Sequence, residues 1–269
     1  TIYSYAFDNC TSLEAIELPD SITTMSACAF YECTKLSTVN YPKSWKATPD
    51  WYNNLEVHSD SSSYYRSPFE GCSALKSLTI PEGVTAIPKH AFQNVSALQE
   101  VTLPASLTSI GAYAFYNADG LAEMTLPSGV KTIGTCAFAD SSGLKRMDLS
   151  KATGLTQINE SAFASCTGLS EVTLPGSLTT IYSYAFQNCT SLAGIELPDS
   201  ITTMSAHAFY NCTKLSSVNY PKGWKATPDR YNNLEVYSDS VSYYSSPFEG
   251  CSRLKSITVP EGVTAIPKH

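Results

Sequence analysis

Apolar residues recur along the chain on a fixed schedule. The stretches LTSIGAYAF (107–115), VKTIGTCAF (130–138) and LTTIYSYAF (178–186) keep the same apolar positions while the residues between them vary. All ten phenylalanines take part, at spacings of 23 residues apart from one of 25 and two of 39. Such a period is typical of an array of small repeats that pack on one another. The phenylalanines are Phe7, Phe30, Phe69, Phe92, Phe115, Phe138, Phe163, Phe186, Phe209 and Phe248.

One repeat reads L-x-x-(V/I)-x-L-P-x-x-(L/I/V)-x-x-I-x-x-x-A-F. The alternation at its start predicts a short strand with one buried face. The proline that follows has no N–H and ends this strand. The rest of the repeat must return to the next strand, and we predict a turn or a short 3₁₀ or helical segment at Ala-Phe. Because one repeat cannot bury its own apolar side, successive repeats are predicted to stack parallel strands into a solenoid.

This unit, with I-x-x-x-A-F-x-x-C at its end, resembles the BspA-like (Treponema-type) leucine-rich repeats over nearly the whole chain. The resemblance implies an α/β-type leucine-rich-repeat solenoid with a 23-residue period. Short parallel strands would line its concave face, and irregular or short helical returns its convex face. Members of that family are typically secreted or cell-surface proteins of host-associated bacteria and some protists, and some are adhesins for host matrix proteins. The implied function is therefore extracellular, non-enzymatic binding.

A second, longer period overlies the first. Residues 1–90 match residues 180–269 at an offset of 179, with 14 differences. We interpret residues 1–269 as one continuous array with a recent internal duplication. The pattern is already under way at the first residue and stops short of the next Ala-Phe, so we expect a fragment of a longer protein. Any signal sequence or anchor would then lie outside it.

Two interruptions add sixteen residues each, between Phe30 and Phe69 and between Phe209 and Phe248. Within the first, Tyr52-x-x-Leu55-x-Val57 still fits the strand template. This favours an extra strand in each interruption, which gives about twelve strands in all, and a protruding loop is the alternative. The interruptions are rich in aromatic residues, which would either contact a protein or glycan ligand or fill a gap in the solenoid. These candidates are Trp45, Trp51, Tyr64, Tyr65, Trp224, Tyr243 and Tyr244.

In each predicted strand, the two residues beside the middle apolar one point away from the core. In a curved solenoid they would line the concave face, where such proteins commonly bind partners. Most are acidic or hydroxylated, so a basic or polyhydroxylated partner would suit them. The alternative is that they only solvate an open sheet. The candidate ligand-binding residues are Glu56, Glu100, Thr102, Glu123, Thr125, Arg146, Asp148, Glu171, Thr173, Glu196 and Glu235.

Charge and motifs exclude several functions. The formal net charge is −7 and the isoelectric point about 5.1, and no cluster of Lys and Arg is present, which disfavours binding to nucleic acid or anionic membranes. No apolar run is long enough to span a bilayer. The four histidines do not converge, and G-x-S-x-G, H-E-x-x-H and phosphate-loop motifs are missing. We therefore predict no catalytic residue, metal or cofactor.

Seven of the nine cysteines share one position, three residues after the phenylalanine. Other repeats place Val95, Ala118 or Ser141 there, which indicates a small buried slot and free thiols. Two functions remain open. The array is a monomeric binding module for a host or matrix protein or glycan, or it is a structural spacer that projects another domain. An enzyme elsewhere in the parent chain is a third possibility. The seven cysteines are Cys10, Cys33, Cys72, Cys166, Cys189, Cys212 and Cys251.

Overall fold

The computed structural model describes residues 1–49, 66–227 and 245–267. In these residues the chain winds into a solenoid of short parallel strands, with one turn for each repeat. The strands in chain order are β1 (Ala15–Ile16), β2 (Thr38–Val39), β3 (Ser77–Thr79), β4 (Ala86–Ile87), β5 (Glu100–Thr102), β6 (Ser109–Ile110), β7 (Glu123–Thr125), β8 (Thr132–Ile133), β9 (Arg146–Asp148), β10 (Gln157–Ile158), β11 (Glu171–Thr173), β12 (Thr180–Ile181), β13 (Gly194–Ile195), β14 (Thr203–Met204) and β15 (Ser217–Val218).

The strands form two sets. The front strands (β1, β2, β3, β5, β7, β9, β11, β13 and β15) are the ones that the alternating pattern predicted. They pair in parallel with the equivalent strand of a neighbouring turn in four groups, which are β1–β2, β3–β5, β7–β9–β11 and β13–β15. The second strands (β4, β6, β8, β10, β12 and β14) come a few residues later in each turn and were not predicted. Each full turn therefore contributes to two sheets.

The prediction of helical returns is wrong for the described residues, which contain turns but no helix. The physical reason is a pair of left-handed residues around each Ala-Phe. Tyr113 (φ 57°) and Asn117 (φ 53°), for example, flank Ala114 and Phe115. Left-handed residues this close together prevent a right-handed helix. The return is irregular, as the other half of the prediction stated.

These turns form a third ladder between repeats. The backbone N–H groups of Tyr113, Phe115 and Asn117 donate to carbonyl oxygens of the next turn at 3.0, 2.7 and 2.8 Å. The acceptors are Thr135, Ala137 and Ala139. Buried backbone groups must be paired, and the left-handed residues direct these N–H groups along the solenoid axis instead of into a helix.

The phenylalanines stack along the core behind this ladder. Consecutive rings lie 4.9–6.2 Å apart, nearly parallel. The stack runs through both interruptions, because Phe30 meets Phe69 at 5.4 Å and Phe209 meets Phe248 at 5.3 Å. In the first interruption, Ala47 still bridges to Thr24 of the preceding turn, and the ring stack resumes at Phe69. The added residues therefore enter the chain between these two points. β2 and β3, which flank that interruption, do not pair with each other. The predicted extra strands, at Tyr52–Val57 and its counterpart, lie outside the described residues.

The cysteine slot holds free thiols that also form hydrogen bonds. The Sγ of Cys166 donates to the Phe138 carbonyl at 3.0 Å, and the Oγ of Ser141 donates to the Phe115 carbonyl at 2.8 Å. Desolvation raises the pKa of the buried Cys166 thiol, and it raises the pKa of Cys72 to about 12. Most repeats thus fill the slot with a small side chain that also donates a hydrogen bond, whereas Val95 and Ala118 fill it by size alone.

Candidate binding surface

The front strands place their middle residue in the core and its two neighbours outside. Met124 and Met147 are buried, whereas Glu123, Thr125 and the equivalent residues face solvent. The outward side chains form an exposed surface that we call the front strip. Its predicted members that the structure describes are Glu100, Thr102, Glu123, Thr125, Arg146, Asp148, Glu171, Thr173 and Glu196; Glu56 and Glu235 lie outside the described residues.

Register brings the strip into two columns. The pairing of β7, β9 and β11 aligns Glu123, Arg146 and Glu171 in one column and Thr125, Asp148 and Thr173 in the other. Adjacent strands in a sheet are about 4.8 Å apart, so a ligand along the solenoid axis meets one side chain of each column at every turn.

Arg146 lies between two acids of its column. Its Nη1 is 3.2 Å from Oε2 of Glu123, and its Nε is 3.3 Å from Oε2 of Glu171. All three side chains are exposed, so these pairs contribute little to stability. They do lower the local charge, because two carboxylates already have a cation. Among the described residues, no ion pair involves Glu100 or Glu196.

Asp148, in the second column, accepts a hydrogen bond from a residue that follows it closely in the sequence. Its Oδ1 accepts the backbone N–H of Ser150 at 2.9 Å. Hydrogen bonds from Ser150 lower the pKa of the Asp148 carboxyl, which stabilises its ionised form. This residue therefore keeps its negative charge on the strip, with one oxygen already engaged.

A depression of about 310 Å³ lies on the strip where β13 follows β11. Gly194 is at this point the residue of the first column and contributes no side chain. The surrounding residues include Glu171, Thr173, Glu196 and Ser217. We call this feature the Gly194 depression.

Two of the predicted aromatic contacts are wrong, because Trp45 and Trp224 are buried, at 2% and 8% exposure. Trp45 meets the edges of Phe69 and Phe92 at 6.2 and 5.9 Å, and its Nε1 donates to the Ala47 carbonyl at 2.9 Å. They fill space beside the phenylalanine stack where the interruption begins, as the alternative interpretation held. The other aromatic candidates, Trp51, Tyr64, Tyr65, Tyr243 and Tyr244, lie outside the described residues.

A comparison with protein families is decisive for the class of this array. The family model described as "BspA type Leucine rich repeat region (6 copies)" matches residues 1–55, 62–153, 148–231 and 230–269. The chain belongs to the BspA-type leucine-rich repeat family. The resemblance drawn from the repeat unit is thereby confirmed.

Solved structures are similar to this chain, and one of them, from T. pallidum, shows the same fold. The T. pallidum leucine-rich repeat protein is 28% identical, with a TM-score of 0.52 over 66% of this chain and 78% of that protein. A leucine-rich cell-surface protein from Faecalibacterium prausnitzii is 22% identical, with a TM-score of 0.37 over 91% of this chain and 78% of its own. The pneumococcal vaccine antigen PcpA is 20% identical, with a TM-score of 0.37 over 81% and 64%. None of the curated protein sequences compared with the chain matches it.

In this BspA-type array, two asparagines of the strip have a structural role that the sequence did not suggest. The Oδ1 of Asn40 accepts the N–H of Leu18 at 2.6 Å, and its Nδ2 donates to the Leu18 carbonyl at 2.7 Å. Asn219 does the same with Leu197 at 2.6 and 2.7 Å. The amide replaces a backbone partner at the point where the chain departs from the regular path. The signal available in the sequence was an asparagine at this position only before the interruptions.

His90 is also structural in this BspA-type array. It is buried, stacks on Tyr113 at 5.1 Å, and its Nδ1 lies 2.6 Å from Oε1 of Gln93. Among the described residues, no group of three or more His, Cys, Asp and Glu side chains could hold a metal ion. In the same part of the chain, no helix is long and apolar enough to cross a membrane.

His90 makes the stability of the folded protein depend on pH. Desolvation lowers the pKa of His90 to about 4, although the Gln93 hydrogen bond opposes this. An unfolded histidine binds its proton near pH 6.5, so the unfolded state gains protons first as the pH falls. We expect the free energy of unfolding to drop by roughly 3 kcal/mol between about pH 6.5 and 4 from this residue. Urea titrations at pH 7.0 and 4.5 measure the change.

The matched variant is His90→Tyr, because Tyr113 and Tyr184 occupy the same repeat position. It should unfold with a smaller loss of stability between the two pH values, while carboxyl groups account for the remainder in both proteins. An identical loss in the variant and the parent protein would show that His90 is not the source.

Proposed function

We propose that this array is an extracellular or cell-surface binding module, of adhesin type, that recognises a host or matrix protein or glycan through the front strip. The observation that carries the proposal is the strip itself, in which acidic and hydroxylated side chains stand in register on one exposed face. Membership of the BspA-type family supports it, since leucine-rich arrays are binding scaffolds.

Binding without catalysis fits the chemistry of the strip. The strip offers single carboxylates at successive turns instead of a pair with a nucleophile or base, so it provides contact area and charge. Many weak contacts along a stiff surface would add up to a useful affinity. The negative field would speed the approach of a positively charged partner and make binding sensitive to salt.

Charge reversal tests this proposal. Lysine substitutions at four strip acids should reduce binding to immobilised matrix proteins by about tenfold or more, since like charges then oppose the partner. Surface plasmon resonance against a panel of matrix proteins and glycans measures the affinity, with circular dichroism to verify folding. The substituted residues are Glu100, Glu123, Asp148 and Glu171.

A matched control separates strip charge from net charge. Lysine replaces four exposed acids that lie off the strip, so the total charge changes by the same amount. This control should bind the panel like the parent protein. Unchanged binding by the strip variant would instead remove the proposal. The control residues are Asp8, Glu14, Glu160 and Glu261.

The second candidate is a structural spacer that projects another domain. The three hydrogen-bonded ladders and the unbroken phenylalanine stack favour it, because both resist bending. A spacer has no ligand of its own. It therefore predicts that neither the strip variant nor its control changes adhesion.

A further inference from the structure

Two depressions of the front strip are large enough to seat a side chain. The one beside β2 and β3, of about 410 Å³, has a single acid, Asp20, which is already paired with Lys43, whereas the Gly194 depression contains two glutamates. It has a volume of about 310 Å³ and is lined by residues of both columns. Interfaces concentrate their energy where an anchor residue enters a pocket, and arginine is among the most frequent anchors. The question is which anchor this pocket fits.

Arg146, one turn away, shows how a guanidinium binds to the acids of this column. It belongs to the first column, directly before Glu171, and its guanidinium reaches the carboxylates of both neighbouring turns at 3.2 and 3.3 Å. A cation seated over this column can thus contact acids on either side. Gly194 follows Glu171 in the same column, and there the corresponding side chain is missing.

Glu171 can serve a second cation. Only its Oε2 contacts Arg146, and an ionised carboxylate accepts hydrogen bonds on both oxygens. Glu196, which also lines the depression, has no ion pair among the described residues. Thr173 and Ser217 add hydroxyl oxygens that accept hydrogen bonds. The lining therefore offers acceptors to a group rich in donors.

A basic side chain fits better than a sugar ring. The strip residues of every repeat lack an aromatic side chain on which a pyranose could stack, and the two described tryptophans are buried. The protein carries a net charge of −7, which favours a cationic partner. A guanidinium has five N–H donors in a planar fork that matches carboxylates.

We propose that the Gly194 depression seats an arginine side chain of the protein partner, held between Glu171 and Glu196. This inference rests on the proposed function of the front strip. It makes the ligand a protein with an exposed basic residue and places the principal anchor at β11 and β13.

The test places an arginine side chain of the protein itself in the depression. In Gly194→Arg, the new side chain takes the place of the partner's arginine. Gly194→Ala is the steric control, because its Cβ would lie 3.3 Å from the Ser217 carbonyl oxygen and Ala15 occupies the equivalent position in the first copy. Thr11→Arg is the charge control, since it adds the same cation at an exposed position that lies off the strip and far from the depression.

The probe is a fluorescent peptide of alternating glycine and arginine, compared with the same peptide carrying neutral citrulline. Fluorescence anisotropy at low salt should show binding of the arginine peptide only. We expect Gly194→Arg to weaken this binding by about tenfold, whereas Gly194→Ala and Thr11→Arg stay within about threefold of the parent protein. Equal binding of both peptides, no binding by the parent protein, or equal weakening by Gly194→Arg and Thr11→Arg would overturn the inference.

The two proposals fail in different ways. Suppose that the fourfold lysine variant of the strip loses its matrix partner while Gly194→Arg keeps it. The front strip would then remain the binding surface, and the arginine seat would be wrong. If the fourfold variant keeps the partner, the proposed function itself is wrong.

Discussion

Phe115→Ala should lower the free energy of unfolding by about 3–5 kcal/mol, the range for large-to-small changes at buried phenylalanines. The side chain is fully buried and stacks between Phe92 and Phe138 at 5.4 and 5.3 Å. Alanine would leave a cavity in the middle of the stack, and the backbone on either side cannot collapse into it because its N–H and C=O groups bond to both neighbouring turns. Urea unfolding followed by circular dichroism measures the loss.

The stacked geometry adds a second expectation for this variant. The stability of a repeat array is close to a sum of contributions from each repeat and from its contacts with its nearest neighbours. A weak repeat at Phe115 should therefore separate the unfolding of the repeats before it from the unfolding of the repeats after it. Phe115→Leu is the control, because it retains most of the volume and should lose much less stability. A loss below about 1 kcal/mol in Phe115→Ala would contradict the burial of this ring.

The front strands and the core could be predicted because their sequence pattern is long and regular. Alternation over six residues identifies Met124 as buried and Glu123 and Thr125 as exposed, and ten recurrences of phenylalanine leave little choice for the core. The second strands escaped prediction for the opposite reason. Thr132–Ile133 has two residues, which is too short for any period to be recognised.

The return turns could not be predicted because most residue types in them show no preference for the left-handed backbone conformation. Asn117 is a common left-handed residue, but Tyr113 and Cys136 are not. Their φ values are imposed by the hydrogen bonds to the next turn, and those bonds depend on stacking. The sequence therefore left a helical return open when stacking excludes it.

The candidate binding surface, too, could be predicted only in part. Exposure of Glu171 and Thr173 followed from alternation alone. The ion pairs of Arg146 depend on register between turns, and the Gly194 depression depends on a side chain that is missing, so neither appears in a search for functional residues. Trp45 and Trp224 lie where the period is interrupted, and there the pattern gives no measure of burial.

Trp45→Ala is expected to destabilise the protein by about 3–5 kcal/mol, comparable with a buried phenylalanine. The indole is the largest side chain in the fully buried core, contacts the ring edges of Phe69 and Phe92, and packs against Tyr41 at 5.1 Å. Its removal also takes away support beside β2 and β3, which do not pair with each other. Urea unfolding measures the loss.

The duplication supplies the control within the same chain. Trp224 makes the equivalent bond to Ala226 and meets Phe248, but among the described residues it has no second phenylalanine neighbour, and it is more exposed. Trp224→Ala should therefore cost less than Trp45→Ala. Neither variant should change the affinity for a front-strip ligand under conditions where it remains folded, because both rings lie inside the solenoid. Loss of ligand binding by Trp45→Ala at unchanged stability would show instead that this tryptophan contacts the partner.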